Sequence, residues 1–302
     1  MADSPRVLLT GILGFSGSYL AEALTAQGFA VHGIARALDV DDGSIAGTIH
    51  RADIREPTSV RAILSDVQPH YVIHLAGIAS PAHGDVEEMY LNNVVGTRTL
   101  LSELADGSDQ LKHVIVASSS NVYGNRGVSV LTEDLPMNPA NDYGITKASV
   151  EFLVGMFGSR FPTTVVRPFN YTGVGQSCSF LIPKIVDHFK RRKPVIELGN
   201  TAISRDFSDV RDICLLYSRL LGCEAAFGRA VNLCSGIATP LREVIDELEE
   251  LTGHTIQIRT NPSFVREHEV HALSGSTHLL HQFVGAVERR PLRDTLRWML
   301  EA

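Results

Sequence analysis

A stretch near the start of the chain, Val7-Leu8-Leu9-Thr10-Gly11-Ile12-Leu13-Gly14-Phe15-Ser16-Gly17, restricts the fold more than any other. The apolar run from Val7 to Leu9 reads as a buried strand of a parallel sheet. Three glycines follow at Gly11, Gly14 and Gly17, and then Leu20, Ala23 and Leu24 fall on one side of a helix. Strand, glycine turn and helix in this order form a dinucleotide cradle. The first glycine permits the tight turn, the second lets the backbone approach a pyrophosphate, and the third lets helix and strand pack closely. The helix N-terminus offers free N–H groups to the phosphates. Leu13 and Phe15, between the glycines, join Gly11, Gly14 and Gly17 as candidate cofactor contacts.

The first half of the chain keeps this alternation. Short apolar runs predict strands at Arg6–Thr10, Ala30–Ala35, Thr48–Arg51, Tyr71–Leu75, His113–Ser118 and Thr163–Arg167. Helical patterns lie between them at Ser16–Gln27, Glu56–Val67, Val86–Leu104 and Tyr143–Arg160. Such alternation predicts an α/β protein with a doubly wound parallel sheet and right-handed crossovers. Beyond Arg167 the pattern loosens. A helix at Phe180–Arg192, a strand at Ala230–Cys234, a helix at Leu241–Thr252, a strand at Thr255–Arg259 and a helix from Leu292 stand among scattered Gly and Pro. The expected organisation is a dinucleotide-binding domain over 1–167, joined by roughly 206–235. A smaller mixed α/β C-terminal lobe, 168–205 and 236–302, would close over the carboxyl ends of the strands, where open α/β sheets bind ligands.

Composition narrows the partners. A chain of 302 residues with 44% hydrophobic and 20% charged residues buries a substantial core. Its net charge of −7 argues against nucleic acid as a partner, because phosphate neutralisation needs a basic surface. A local cluster of cations can still hold a small anionic substrate. No apolar run is long enough to span a bilayer, and Met1-Ala2-Asp3-Ser4-Pro5 carries no signal-peptide pattern, so the chain reads as cytoplasmic and free of membrane. Cys178, Cys214, Cys223 and Cys234 lack zinc-like spacing and read as reduced, mostly buried thiols. The C-terminal histidines, His268, His271, His278 and His281, match no metal site.

The second strand points to the form of the dinucleotide. A site for NAD usually carries Asp or Glu at the strand end, against the ribose 2′-hydroxyl. Here Ala35-Arg36 stands instead, which favours NADP(H), with Arg36 on a 2′-phosphate, and leaves NAD(H) open. Asp39, Asp41 and Asp42 follow closely and pull the other way. Asp53-Ile54, after the third strand, suits the adenine edge.

The polar residues of a reaction come next. Ser118-Ser119-Ser120-Asn121 places hydroxyls at the carboxyl end of the strand that begins at His113, and Tyr143 and Lys147 lie four apart on one helix face. A free phenol titrates near 10 and is a poor base at neutral pH; a neighbouring ammonium and a cationic nicotinamide would lower it. A serine hydroxyl can orient a substrate carbonyl for proton transfer.

Thr10-Gly-x-x-Gly-x-x-Gly17, Asn93-Val-x-Gly-Thr97, Ser119 and Tyr143-x-x-x-Lys147 together resemble the extended short-chain dehydrogenase/reductase family of nucleotide-sugar enzymes. The resemblance runs along nearly the whole chain and implies a Rossmann-type sheet with a small C-terminal lobe. It also implies Tyr143 as acid/base, Lys147 on the nicotinamide ribose and Ser119 on the substrate oxygen. Leu75, Ala76, Gly77, Asn93 and Arg167 would lie along the cofactor; His74-Leu75-Ala76-Gly77 departs from the usual His-Leu-Ala-Ala at its last residue. In this family helices such as Val86–Leu104 and Tyr143–Arg160 pair across a two-fold, so a homodimer is expected.

The second half resembles the branch that handles GDP-mannose and GDP-6-deoxymannose. It does so through Arg167-Pro168-Phe169-Asn170, Gly173-x-Gly175-Gln176, Phe180-x-x-x-Lys184, Arg205-Asp206-Phe207 and Arg266-x-x-Glu269. A GDP-sugar would then meet Lys184, Arg205 and Arg266 as charges, Asn170 as an amide and Glu269 as an acceptor. Ser80, Ser120 and Asn121 would face the sugar. Members that eliminate water place a Glu where this chain has Asn121, and those that also epimerise place a Cys where it has Ser120. An amide is no general base. The implied reaction is reduction of the C4 carbonyl of GDP-4-keto-6-deoxy-D-mannose to GDP-D-rhamnose. A 4-epimerase, a talose-forming reductase and a non-catalytic NADP sensor are the alternatives.

Overall fold

The computed structural model describes residues 4–36, 45–79, 83–107, 110–262 and 271–302. Its strands are β1 (Arg6–Thr10), β2 (Ala30–Ala35), β3 (Thr48–Arg51), β4 (Tyr71–His74), β5 (His113–Ala117), β6 (Val130–Leu131) and β7 (Thr163–Pro168). The second half adds β8 (Asn170–Thr172), β9 (Val195–Leu198), β10 (Ser204–Asp209), β11 (Ala230–Leu233), β12 (Ala238–Pro240), β13 (Gln257–Thr260) and β14 (Ala272–Gly275). Helices α1 (Phe15–Ala26), α2 (Pro57–Val67), α3 (Val86–Tyr90), α4 (Gly96–Gly107) and α5 (Asp142–Phe157) belong to the first half. After them come α6 (Leu181–Lys190), α7 (Val210–Leu220), α8 (Leu241–Thr252), α9 (His278–Val284) and α10 (Leu292–Glu301).

Seven parallel strands form the main sheet in the order β11-β7-β5-β4-β1-β2-β3. The chain winds outward from β1 through β2 to β3, then returns to place β4 on the other flank of β1. The crevice of the fold therefore opens at the carboxyl ends of β1 and β4, at the switch point of the winding. Val7, Leu8 and Leu9 are fully buried because helices cover both faces. One face packs on α1, α7 and α9 through residues such as Leu20, Leu24, Ile213, Leu216 and Leu280. The other packs on α2, α4 and α5 through Val60, Leu64, Leu100, Leu104, Val150 and Val154. Each such side chain contributes roughly 1.5–3 kcal/mol on removal from water.

The smaller lobe has its own core, with Ile182, Ile185, Phe189, Val244, Leu248 and Leu296 among its members. A mixed sheet runs β12-β10-β14-β6, β8 pairs with β10, and β13 pairs with β9. Two elements depart from the expected division. Strand β6, from the first half, pairs with β14 of the lobe, and α9, from the C-terminal segment, packs back on α7 and β11. The expected helix Val86–Leu104 is interrupted by a π-turn, Leu91–Val95, which separates α3 from α4. Six strands (β6, β8, β9, β10, β12, β14) and the helices α7 and α9 lie where the sequence pattern predicted nothing regular.

Candidate active site

A cleft of about 980 Å³ lies between the carboxyl ends of the main sheet and the smaller lobe. Its floor begins at the glycine turn. Gly11 takes φ +75°, and Gly14 is the N-cap of α1 with no side-chain acceptor on the first-turn N–H groups. A Cβ at Gly17 would sit 2.1 Å from the Gly11 carbonyl oxygen, so only glycine lets α1 start this close to β1. A narrow turn and an uncapped helix N-terminus on the cleft floor meet the requirements of a pyrophosphate. Phe15, Leu75 and Gly77 line the same end.

Ser119, Tyr143 and Lys147 converge farther along. Ser119 follows β5 as the N-cap of a 3₁₀ turn at Ser120–Tyr123, and its Oγ accepts from the backbone N–H of Asn121 (3.2 Å) and from Asn121 Nδ2 (3.1 Å). The Ser119 hydroxyl lies on the Tyr143 side of the cleft and favours the ionised phenol. The neighbouring Ser118 is turned away: its hydroxyl donates to Glu151 Oε1 at 2.5 Å. Helix α5 starts at Asn141, whose side chain accepts the Gly144 N–H, and this cap sets Tyr143 in the first turn. Lys147, one turn on, is buried and donates to the Ala117 carbonyl at 2.8 Å.

The electrostatics differ from the sequence expectation. Burial pushes the Tyr143 phenol up to about 12, while the Ser119 hydroxyl opposes the rise. Burial also pulls Lys147 down to about 8, and Glu151 acts against that. Burial is the largest cause of the Tyr143 rise, and Tyr171 adds to it. A phenol held this high keeps its proton at neutral pH.

The family model for the NAD dependent epimerase/dehydratase family matches residues 7–234. The chain belongs to that family. Among curated relatives it is 30% identical to a GDP-6-deoxy-D-talose 4-dehydrogenase from Aggregatibacter actinomycetemcomitans, over 93% of this chain and 91% of that one. It is 31% identical to the GDP-6-deoxy-D-mannose reductase of Pseudomonas aeruginosa, over 98% of this chain and 96% of the relative. Among solved structures, RMD from Pseudomonas aeruginosa complexed with NADPH superposes with a TM-score of 0.83 at 30% identity, covering 99% of this chain and 97% of that one. Membership makes this an NAD(P)-dependent enzyme, and its glycine turn and α1 N-terminus fit the dinucleotide's pyrophosphate.

The remaining candidates divide by position. Ser120, Asn121, Asn170, Lys184 and Arg205 line the cleft. Lys184 donates to the Glu197 carbonyl (2.7 Å), Arg205 to the Ser204 carbonyl (2.9 Å) and Asn170 Nδ2 to the Asp206 carbonyl (3.2 Å). Ser80, Arg266 and Glu269 lie outside the described residues, as do Asp39, Asp41, Asp42 and His268.

Several expected cofactor contacts also have partners within the protein. Leu13 and Ala76 pack into the two cores flanking the sheet. Asn93, on the π-turn, bonds Ile78 N–H (2.7 Å), Ile78 C=O (3.1 Å) and Thr146 Oγ1 (3.1 Å), so its amide is taken up by the protein. Arg167 is buried in a two-point ion pair with Glu151 and is not among the residues lining the cleft. Asp53 is gripped by Arg55, which holds its carboxyl below the usual range, and Ile54 is buried. Arg36 ends β2, half-exposed and 3.6 Å from Glu88.

Sequence reasoning gave no role to Ser16, Tyr171 or Gln176, all in the cleft wall, although Gln176 stood in a motif it quoted. Ser16 and Tyr171 bond through their hydroxyls at 2.7 Å and tie the glycine turn to β8. Gln176 Nε2 donates to the Tyr171 carbonyl at 3.0 Å. Its Oε1 is buried without a partner and can accept from a ligand. The cues were a hydroxyl inside the glycine loop and a Gly-x-Gly-Gln turn directly after β8.

All four cysteines are free; Cys214 and Cys234 are buried, Cys223 is half-buried and Cys178 is exposed. Among the described residues no metal-binding cluster is found, and no helix is long and apolar enough to cross a membrane.

Proposed function

We propose that the protein reduces the C4 carbonyl of a GDP-4-keto-6-deoxy-D-mannose-type sugar nucleotide with NADPH, giving GDP-D-rhamnose. The observation that carries this reading is the charge of the cleft wall. Its described lining holds Lys147, Lys184 and Arg205 and no carboxylate, with Asn121 beside Ser119. Elimination of water across the sugar needs a carboxylate base that this wall lacks, whereas carbonyl reduction needs only a proton donor and a polariser. Lys184 and Arg205, with the N-terminal turn of α6 beside them, suit a diphosphate. The two GDP-sugar relatives support the nucleotide, and the NADPH complex supports the cofactor.

The chain's own groups divide the work as follows. When bound, the reduced nicotinamide supplies a hydride. Ser119 has its Oγ lone pairs engaged by Asn121 and gives its proton outward, which orients a carbonyl oxygen or the Tyr143 oxygen. Tyr143 then releases its phenolic proton to the developing alkoxide. Lys147 supplies positive charge one helical turn away, which favours the phenolate left behind. Arg36 suits a 2′-phosphate at the end of β2.

Hydride delivery to the opposite sugar face would give the 6-deoxytalose product, the reading favoured by similarity to the talose dehydrogenase. Two copies of the protein pair as a homodimer through the α3–α5 surface, where Val86, Leu91, Val95, Ile145, Phe152 and Met156 are exposed. The test incubates purified protein with NADPH or NADH and GDP-4-keto-6-deoxy-D-mannose and identifies the product by NMR. Cofactor oxidation with the rhamno product is expected. No oxidation of either cofactor refutes the reading. A tightly held, non-exchanging NAD with C4 epimerisation would replace it with an epimerase.

A further inference from the structure

Tyr143, Lys147 and Glu151 recur every fourth residue of α5 and rise along one face of the helix. The reaction described above uses the first two and leaves Glu151 without a task. Its carboxylate is nearly closed to solvent, with 7% of the side chain exposed. It accepts from Arg167 Nε (2.9 Å) and Nη2 (2.7 Å) and from the Ser118 hydroxyl (2.5 Å). Lys147 meanwhile donates to the Ala117 carbonyl. The two residues that lead into Ser119 are thus pinned to successive turns of α5, Ala117 by Lys147 and Ser118 by Glu151.

Charge around this face is uneven. Lys147 and Arg167 are both buried cations, and Glu151 is the carboxylate bonded to one and a single turn from the other. The remaining neighbours of Lys147 carry no charge. From β4, His74 is buried between Thr10 and Thr97 and pulled down to about 3 by burial, so it is neutral. Tyr143 on the same helix keeps its proton, and Gly77 and Asn93 close the side toward the π-turn. Glu133 lies behind Arg167: its carbonyl accepts from the guanidinium, and its carboxylate takes the Asn232 N–H. Tyr123 also stands on the Arg167 side, accepting from Nη1 and donating to Asn232.

We propose that Glu151 is a positioning residue: it holds Lys147 in its charged form and, with Arg167, fixes Ser118 and hence Ser119 beneath the Tyr143 hydroxyl. The proposal rests on the reading that Ser119, Tyr143 and Lys147 carry the reaction. Its physical basis is the fate of three buried charges when one is removed. Without Glu151, Lys147 loses the one charge that opposes the effect of its burial, so its ammonium gives up the proton more readily. Without Arg167, Glu151 is left to Lys147 alone, and the ammonium is favoured further. Two halves of one ion pair therefore push the same lysine in opposite directions.

The experiment titrates Lys147 directly, by NMR of protein labelled with ¹³Cε-lysine, the resonance being assigned through Lys147→Arg. The pH profile of kcat/KM is followed in parallel. Glu151→Gln is expected to lower the Lys147 midpoint by about 1 pH unit or more, and Arg167→Met to raise it. Arg167→Lys, which keeps the charge, should leave the midpoint near that of the parent. If Glu151→Gln does not fold, Glu151→Asp withdraws the carboxylate by one methylene and should give a smaller downward shift. An unmoved midpoint, or shifts of the same sign from both halves, overturns the role of Glu151. The titration needs no substrate, so a protein with the stated shifts but no keto-sugar turnover overturns the functional reading alone.

Discussion

Gly14 and Gly17 stand three residues apart in one turn, yet a methyl group added at each should act on different properties. At Gly17 a Cβ meets the Gly11 carbonyl oxygen at 2.1 Å, Ile12 Cα at 2.7 Å and the Ile12 oxygen at 2.8 Å. All three are backbone atoms of the turn itself and cannot retreat by changing rotamer. Overpacking of this kind costs about 3 kcal/mol, at the upper end of the usual range. Alanine's better helix propensity offsets about 1 kcal/mol, because Gly17 lies inside α1. The net loss of about 2 kcal/mol corresponds to a fall in Tm of roughly 4 °C for a chain of this size. At Gly14, φ is −75° and a Cβ meets one atom within 4 Å, the Gly11 oxygen at 3.1 Å. Stability should therefore fall by only about 1 kcal/mol, less than at Gly17, since alanine is a poorer N-cap than glycine but meets a single atom here. Gly14 lines the cleft, so its methyl displaces the pyrophosphate and raises the NADPH Kd roughly tenfold, or about 1.4 kcal/mol. Thermal unfolding by circular dichroism and NADPH titration by calorimetry separate the two effects. A Gly17→Ala variant with the parent's Tm, or a Gly14→Ala variant that melts early and binds normally, refutes the assignment of turn and cradle.

Tyr143→Phe should lower kcat by about 10²–10⁴ while the NADPH Kd changes less than about threefold, and near-parent turnover in stopped-flow assays would exclude Tyr143 as the proton donor. Arg36→Ala should weaken NADPH by roughly tenfold or more and leave NADH nearly untouched, as one charge-assisted bond to a phosphate is lost; equal effects on both cofactors would remove Arg36 from the 2′-phosphate. Phe152 and Met156 are 68% and 70% exposed on α5, so the double change Phe152→Glu, Met156→Glu should split a dimer into monomers by light scattering. A parent protein that is already monomeric at micromolar concentration would end that proposal.

How much of this was legible in the sequence depended on where each residue finds its partners. Strands β1, β2, β4 and β5 are short and largely apolar, so local pattern alone located them within a residue or so. The trio Ser119, Tyr143 and Lys147 was legible for a similar reason, since spacing on one strand end and one helix face places it. Strand β10, Ser204–Asp209, was not, because its sequence is polar although four of its residues are buried. Asp206 is fully buried there with its carboxylate accepting N–H groups of Ser235, Gly236 and Gly275, donors far along the chain. Helix α7 carried a usable signal, an Asp209 cap followed by Ile213, Leu216, Tyr217 and Leu220 at helical spacing. The partners of Arg167 and Asp53, Glu151 and Arg55, were not legible, because which charges pair is settled by the fold and not by local pattern. The direction of the Tyr143 shift was inverted for want of one quantity, the depth of burial.

The same dependence on partners gives Asn121 a second meaning. By composition it marks what the site lacks, a carboxylate for elimination. In the structure it also acts on Ser119, donating to its Oγ from both the backbone and the side-chain nitrogen. An oxygen that already accepts two N–H groups has its remaining capacity in its own proton, so Ser119 is set as a donor. A carboxylate at position 121 would do the reverse, drawing the Ser119 proton toward itself and leaving the Tyr143 oxygen and a substrate carbonyl without it. On the proposed reading the amide both withholds a base and sets the serine as a donor, and these two effects favour the same reaction. Reduction needs a hydroxyl pair whose protons point at one oxygen, and Asn121 is the residue that arranges the first of them.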